Sequence, residues 1–174
     1  MLKDKKNIIE MGMELAESGV DVCLEKGLNE RQGSIDILKT YTDIEDKQFD
    51  YAICNVTIHM LMYPEVLLKE MKRIAKYQIL SFPNFANWRN RLDLLLNGRR
   101  LRPLLSGYNW YSTGHLHDLS LKDFKETVHQ LGLKIKLTVY HYFGYLVSSM
   151  KIFPNLLASE AIYLLEDSQL MLGI

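Results

Sequence analysis

Asn55, Thr57 and His59 stand just beyond a short apolar run, FDYAIC, at residues 49–54. An imidazole titrates near neutral pH, so His59 can orient a substrate or shuttle a proton. The plainer role is a histidine packed under the helix that follows. Glu14 ends an earlier apolar stretch. In a doubly wound nucleotide-binding sheet, a carboxylate there accepts hydrogen bonds from both ribose hydroxyls; a solvated strand-end glutamate is the alternative. His115, His117 and Asp118 offer two imidazoles at i, i+2 and a carboxylate, a set that can hold zinc or iron. No second His/Cys cluster at ligand spacing accompanies them, so a polar loop facing a crevice is favoured and no metal is expected. Arg89, Arg91, Arg99, Arg100 and Arg102 gather near Trp88 and Trp110. Such a mixture reads nucleic acid, clamps an anion or forms a protein interface. In a chain of zero formal charge the interface is favoured, with a solvated helix face as the alternative. There is no G-x-S-x-G elbow, no Walker loop and no C-x-x-C.

The elements that must position these groups are legible in the pattern. FDYAIC suits a strand buried on both faces. Pro64 at a first helical position, Glu65 in the first turn and Leu67, Met71 and Ile74 at helical spacing predict a helix. YQILSF is a second buried strand, closed by Pro83-Asn84. Strand, crossover helix and strand make a parallel βαβ unit. Ligands bind beyond the carboxyl ends of such strands, which places Asn55, His59, Asn84 and Phe85 at a crevice. Tyr111 and His117, from the irregular segment 99–119, are further crevice candidates.

Before this unit, 7–15 predicts a strand ending at Glu14. Residues 17–26 predict a short helix with Val20, Cys23 and Leu24 on one face, stopped by Gly27; 28–38 predicts a weak strand and a turn at Gly33. After it, a helix over 85–96 carries Trp88, Leu92 and Leu95 on its apolar face and stops at Gly98. Ser120 and Asp123 form a capping-box pattern before the stripe Leu121, Phe124, Val128, Leu131. LKIKLTVY, 133–140, alternates strictly and has the outward lysines of an edge strand. EAIYLL, 160–165, is a last strand. The expected fold is α/β, mostly parallel with an antiparallel edge.

At 174 residues the chain suits one domain with a real core. Zero formal net charge argues against nucleic acid or an anionic membrane as partner. Cys23 and Cys54 read as free thiols. MLKDKKNIIEMG lacks the apolar core of a signal peptide, and no stretch reaches membrane-spanning length, so a cytoplasmic location is expected.

Three segments carry a family resemblance: QILSFPNFANWRNRLDLLLNGR, YNWYSTGHLHDLSLKDF and FPNLLASEAIYLL. In order and spacing they resemble the MetW family of methionine biosynthesis, built on the Rossmann-like class I S-adenosylmethionine-dependent methyltransferase fold. CLEKGLNERQGSIDI and FDYAICNVTIHML match more loosely. The resemblance runs from about Gly12 onward and implies a single methyltransferase-like domain over 1–174.

Its departures are informative. The family opens with a strand and a D-L-G-C-G-x-G loop that brings backbone close to the cofactor; this chain has no such loop. GMELAESGVDVCLEKG aligns best with the family's second strand and helix, which makes the domain truncated or degenerate at its N-terminus. Glu14 then takes the ribose position, Ser34 stands where the family has an acidic residue near the adenine, and Ile35 covers one adenine face. Asn55 completes the cofactor candidates. A rival alignment makes IIEMGMEL the first strand, with Glu10 and Gly12 as a degenerate loop. Gly114-His115 replaces the family's usual Pro-Asn. The resemblance implies an accessory partner of homoserine O-acetyltransferase; the mix of arginines and large aromatics, not the resemblance, locates the expected contact surface at Trp88, Arg89, Arg91, Arg99, Arg100 and Trp110. An active small-molecule methyltransferase is the alternative, and weak or no binding of S-adenosylmethionine is expected. No residue stands out as a catalytic base.

Overall fold

The computed structural model describes residues 8–100, 114–142, 145–148 and 152–168. Strand β1, Gly12–Glu14, is followed by helix α1, Glu17–Glu25, and strand β2, Glu30–Gln32. β1 and β2 pair in parallel, with Gly12 opposite Glu30 and Glu14 opposite Gln32, and form a two-stranded sheet of their own. Gly27 closes α1 with φ of 71°, a left-handed conformation glycine adopts without penalty.

The larger sheet holds β3, Phe49–Asn55, β4, Ala75–Pro83, β5, Leu133–Tyr142, β6, Tyr145–Ser148, and β7, Glu160–Asp167. Their order is β3-β4-β7-β5-β6. β3 and β4 are parallel; β7 is antiparallel to both β4 and β5, and β6 to β5. Hence β3, β4 and β5 run one way, and β6 is the antiparallel edge. Helix α2, Pro64–Ile74, joins β3 to β4 with its proline in the first turn. Helix α3, Trp88–Asn97, follows β4. Helix α4, Leu121–Gln130, precedes β5, and the short α5, Pro154–Leu157, precedes β7. At α4, Ser120 Oγ accepts from the Asp123 N–H at 3.1 Å and donates to its carboxylate at 2.5 Å. No described helix is long and apolar enough to cross a membrane.

One face of the larger sheet is the core. Cys54, Leu80, Phe82, Ala161, Tyr163, Leu165 and Tyr140 pack against Leu67, Leu68 and Met71 of α2 and Leu121, Phe124 and Val128 of α4. The Phe124 ring sits 4.7 Å from Phe82 and 4.8 Å from Tyr163. A smaller core of Tyr41, Ile44, Ile74 and Ala75 takes Met11 and Met13 from one side and Phe49 and Ala52 from the other. That core ties the two sheets together.

Five expectations change. β3 is buried on one face only, with Tyr51 and Ile53 exposed, because among the described residues nothing pairs with its outer edge or covers its outer face. α1 buries none of its residues, Val20, Cys23 and Leu24 included. The α3 stripe Trp88-Leu92-Leu95 does not enter the core; Asn90 does, and Leu92 and Leu95 are exposed. In β5, a register shift between Ile135 and Leu137 breaks the strict alternation and turns Leu137 to the outer face. β5 lies between β7 and β6 and is not the edge strand expected; β6 pairs with it at Val139–Tyr142, and among the described residues the lysine-bearing half has no partner on that side. Among the described residues β1 pairs only with β2, in parallel, which agrees with the second-strand alignment. The rival alignment would set β1 beside β3. The cysteines are free, and burial pushes the Cys54 thiol up to about 11.

Candidate functional site

The carboxyl ends of β2, β3 and β4 converge. After β2, the Gly33 N–H donates to the Glu14 carbonyl at 3.0 Å, and the chain turns through Ser34, Ile35 and Asp36. Asp36 is the fastening of this loop. Its buried carboxylate accepts from Ser34 Oγ and from the backbone N–H groups of Met62, 2.9 Å, and Tyr63, 3.3 Å. The Ser34 hydroxyl, then those two N–H groups, hold its carboxyl below the usual carboxylate range, against desolvation. The Ile35 carbonyl accepts from Tyr41 OH at 2.6 Å. The post-β2 and post-β3 loops are therefore one hydrogen-bonded unit. Asp36 escaped the sequence reading; the Ser-x-Asp spacing was its only signal.

After β3, Asn55 Oδ1 accepts from Ser81 Oγ at 2.5 Å. The Val56 N–H donates to Ser81 O at 3.0 Å and Ser81 Oγ at 3.1 Å. Val56 has φ of 52°, a left-handed conformation that strains a β-branched residue by about 1–3 kcal/mol. This turn delivers Ile58–Met60 as one 3-10 turn and drives His59 inward, to 1% exposure.

The His59 ring lies 4.6 Å from His115 and 5.8 Å from Phe85, centroid to centroid. Its carbonyl accepts from the N–H groups of Leu116, 3.0 Å, and His117, 3.1 Å. Neither ring nitrogen has a partner among the described residues. Burial, then the neighbouring His115 and His117, pull its pKa down to about 4. His59 is thus a neutral, sealed imidazole near neutral pH, placed to pack and not to exchange protons with solvent. His115 is also shifted down, by burial and then Arg100, with Asp118 opposing. The His117 side chain is exposed. No metal-ligand cluster exists among the described residues.

Beyond β4, Asn84 Nδ2 donates to the carbonyls of Asn155, 3.0 Å, and Ala158, 2.9 Å, while its Oδ1 accepts from the Ala86 N–H at 3.2 Å. Asn87 Nδ2 reaches the carbonyls of Leu157 and Ala158, and Asn90 Nδ2 that of Phe85. The i, i+3 spacing of Asn84, Asn87 and Asn90 was a visible signal that the sequence reading passed over. These amides pin the β4 exit to residues 155–158 and hold the start of α3.

Glu14 Oε1 accepts from the Ala16 N–H at 3.0 Å, so one carboxylate oxygen already serves the entry to α1. Gly19 gives it room: a Cβ there would stand 2.7 Å from Glu14 Cγ. Desolvation and the Glu14 charge raise the pKa of neighbouring Glu30.

The arginines divide. Arg89 lies over the Trp88 ring, 5.5 Å from its centroid. Arg91 Nε donates to the Ala86 carbonyl at 2.7 Å. Arg100 donates to the His115 carbonyl at 3.4 Å and stands 3.6 Å from the Asp118 carboxylate. Arg89, Arg91, Arg99 and Arg100 are exposed. Beside them Leu92, Leu94, Leu95 and Leu96 of α3 are exposed as well. Arg102, Trp110 and Tyr111 lie outside the described residues.

Tested against S-adenosylmethionine, the described residues offer an acidic strand end, Glu14, and a loop, Ser34-Ile35, for the nucleoside end alone. The close backbone donors for the methionine end are not among them, and the crevice groups Asn55, Ser81, Asn84 and Asp36 already bond to one another or to backbone. The described residues do not fit the whole cofactor.

Over residues 1–165 the chain matches the family described as methionine biosynthesis protein MetW. A curated relative, the bifunctional methionine biosynthesis protein MetXA/MetW of Rhodopirellula baltica, is 30% identical over 128 residues, covering 70% of this chain and 20% of its own length. The chain thus spans about one fifth of the curated relative it matches. Among solved structures, a S-adenosylmethionine-dependent methyltransferase from Thermotoga maritima is similar with a TM-score of 0.65 at 16% identity, over 91% of this chain and 72% of that one. One from Archaeoglobus fulgidus gives a TM-score of 0.64 at 13% identity, over 95% and 79%. At these identities the likeness shows the fold, the Rossmann-like α/β architecture of these methyltransferases. The chain belongs to the MetW family of methionine biosynthesis.

Proposed function

We propose that this MetW-family chain acts in methionine biosynthesis as an accessory partner of homoserine O-acetyltransferase, binding that enzyme and not itself transferring methyl groups. The observation that carries this reading is the contrast between a crevice whose Asp36, Asn55, Ser81 and Asn84 side chains are internally bonded and a helix, α3, whose leucines and arginines face solvent. Exposed aliphatic groups rimmed by arginine and tryptophan are the composition of a protein contact surface. The relative that joins MetXA and MetW in one polypeptide supports the identity of the partner. Our assignment of the surface is Trp88, Arg89, Arg91, Arg99, Arg100 and Trp110 with Leu92 and Leu95, in a single domain acting in the cytoplasm. Asn55, His59, Asn84 and His117 shape the crevice in this reading, and Glu14, Ser34 and Ile35 keep its nucleoside end.

Co-purification with the acetyltransferase tests it, with the parent and an Arg89→Glu/Arg99→Glu variant side by side. Reversing charge at an interface typically costs several kcal/mol, so the parent is retained and the variant lost. A folded variant retained as well as the parent would put the interface elsewhere.

A further inference from the structure

Six large apolar side chains stand exposed on the rim of the crevice. They are Ile37 and Leu38 past β2, Met60, Met62 and Tyr63 past β3, and Leu116 beside them. Leu38 is 62% exposed and Met62 59%. Local geometry gathers them. The Asp36 carboxylate holds the N–H groups of Met62 and Tyr63, and Ile37 and Leu38 follow directly from that junction. The His59 carbonyl holds the Leu116 N–H at 3.0 Å. The end of the Met60 side chain lies against Gly114, where a Cβ would stand 2.8 Å from Met60 Cε. Ile58, His59 and Leu61 turn inward, so the same stretch of backbone turns Met60 and Met62 outward. A contiguous apolar patch of roughly 300–600 Å² is the largest a monomer usually shows, and such patches commonly bind something. Methionine suits that use, since its flexible thioether adapts to the opposing surface.

The rim is continuous with α3. Gly98, at φ of 61°, ends that helix and turns the chain toward Arg100. The Arg100 guanidinium donates to the His115 carbonyl and stands beside Asp118, next to Leu116. α3 follows the carboxyl end of β4, Met60–Tyr63 follow that of β3, and Ile37 and Leu38 follow that of β2. Helix and rim therefore share one end of the fold, on either side of the crevice mouth.

Area decides whether α3 can serve alone. Its ten residues make a rod about 15 Å long and about 10 Å wide, so its solvent side is a strip on the order of 150 Å². A stable interface takes about 800 Å² from each partner. The missing area must adjoin α3, and the rim is apolar, exposed and adjacent.

We propose that Ile37, Leu38, Met60, Met62, Tyr63 and Leu116 form the second half of the surface that binds the acetyltransferase, so that the bound enzyme spans the crevice mouth from α3 to the post-β2 loop. This rests on the accessory-partner reading and adds where the rest of the footprint lies. It also fixes the chemistry of the partner's face. None of the six rim residues is charged, so the enzyme is aliphatic or aromatic opposite them and acidic opposite Arg89 and Arg99.

The test is calorimetric titration of purified homoserine O-acetyltransferase into the full chain and its variants. The parent should bind. Met62→Asp and Leu38→Asp should each weaken binding at least about tenfold, because a charge is forced into an apolar contact. Both sites are exposed, and urea unfolding checks that the variants fold. Leu24→Asp should bind like the parent. Leu24 is exposed in the last turn of α1, which leads from the carboxyl end of β1 to the amino end of the parallel β2, away from the rim. Amide exchange at 60–63 should slow in the complex. Parent-like binding by both rim variants, with Arg89→Glu/Arg99→Glu lost, would overturn the rim footprint and leave the accessory reading standing. No binding by the parent would overturn both. A chain that sediments alone as a dimer, and that Met62→Asp turns into a monomer, would give the rim to a second copy and overturn the proposal.

Discussion

The two faces of the five-stranded sheet have similar side chains and opposite surroundings. On one, Leu80, Phe82, Tyr163 and Leu165 are fully buried under α2 and α4. On the other, Ile53, Ile79, Leu164 and Leu137 lie in register with nothing described over them. Apolar alternation therefore reports that a segment is a strand, and not whether each face is covered. Coverage depends on elements distant in the chain, or outside it.

The difference predicts very unequal mutational costs. Phe82→Ala should lose about 3–5 kcal/mol in denaturant unfolding, the cost of emptying a packed aromatic site. A loss under about 1 kcal/mol would mean the inner face is as loosely packed as the outer one. His59 sharpens the contrast through pH. Its folded pKa of about 4 lies below the ordinary 6.5, so the unfolded chain binds the proton more readily. Its stabilising contribution is then complete above pH 6.5 and falls as pH drops from 6.5 toward 4, at no more than about 1.4 kcal/mol per pH unit. His59→Phe should flatten that slope in unfolding curves taken across the window; an unchanged slope would assign it to another group.

How much of this could be read in advance depends on whether the cause is local. The βαβ unit was legible because Pro64, the Leu67-Met71-Ile74 stripe and the flanking apolar runs are local signals, and so was α4, with Ser120 and Asp123 at its start. The exposure of Tyr51 and Ile53 was not legible, because it depends on which strand lies next to β3. The β5 bulge was hidden because LKIKLTVY alternates perfectly on paper while the pairing with β7 shifts after Ile135. At the crevice, the positions of Asn55 and His59 followed from topology. Their hydrogen-bond partners did not, since Ser81, Asp36 and residues 155–158 are brought there by the tertiary fold.

Smaller effects refine the same contrast. Asp36→Ala leaves the Met62 and Tyr63 N–H groups without their carboxylate and should cost about 1–3 kcal/mol. Amide exchange at those two residues should quicken with it. Ser120→Ala removes the cap of α4, for about 1 kcal/mol, read as a lowered urea midpoint. Ile53→Ala, on the outer face, should stay within about 0.5 kcal/mol of the parent in the same urea titration. A large loss there would show that the outer face is already covered in the isolated chain.

The proposed function treats this chain as a binding partner before a catalyst. Calorimetry with two titrants tests that most directly: homoserine O-acetyltransferase in one experiment and S-adenosylmethionine in the other, each into the same preparation. The account predicts saturable heat with the acetyltransferase and none with micromolar S-adenosylmethionine. Saturable heat with S-adenosylmethionine that Glu14→Ala abolishes, and none with the acetyltransferase, would contradict it.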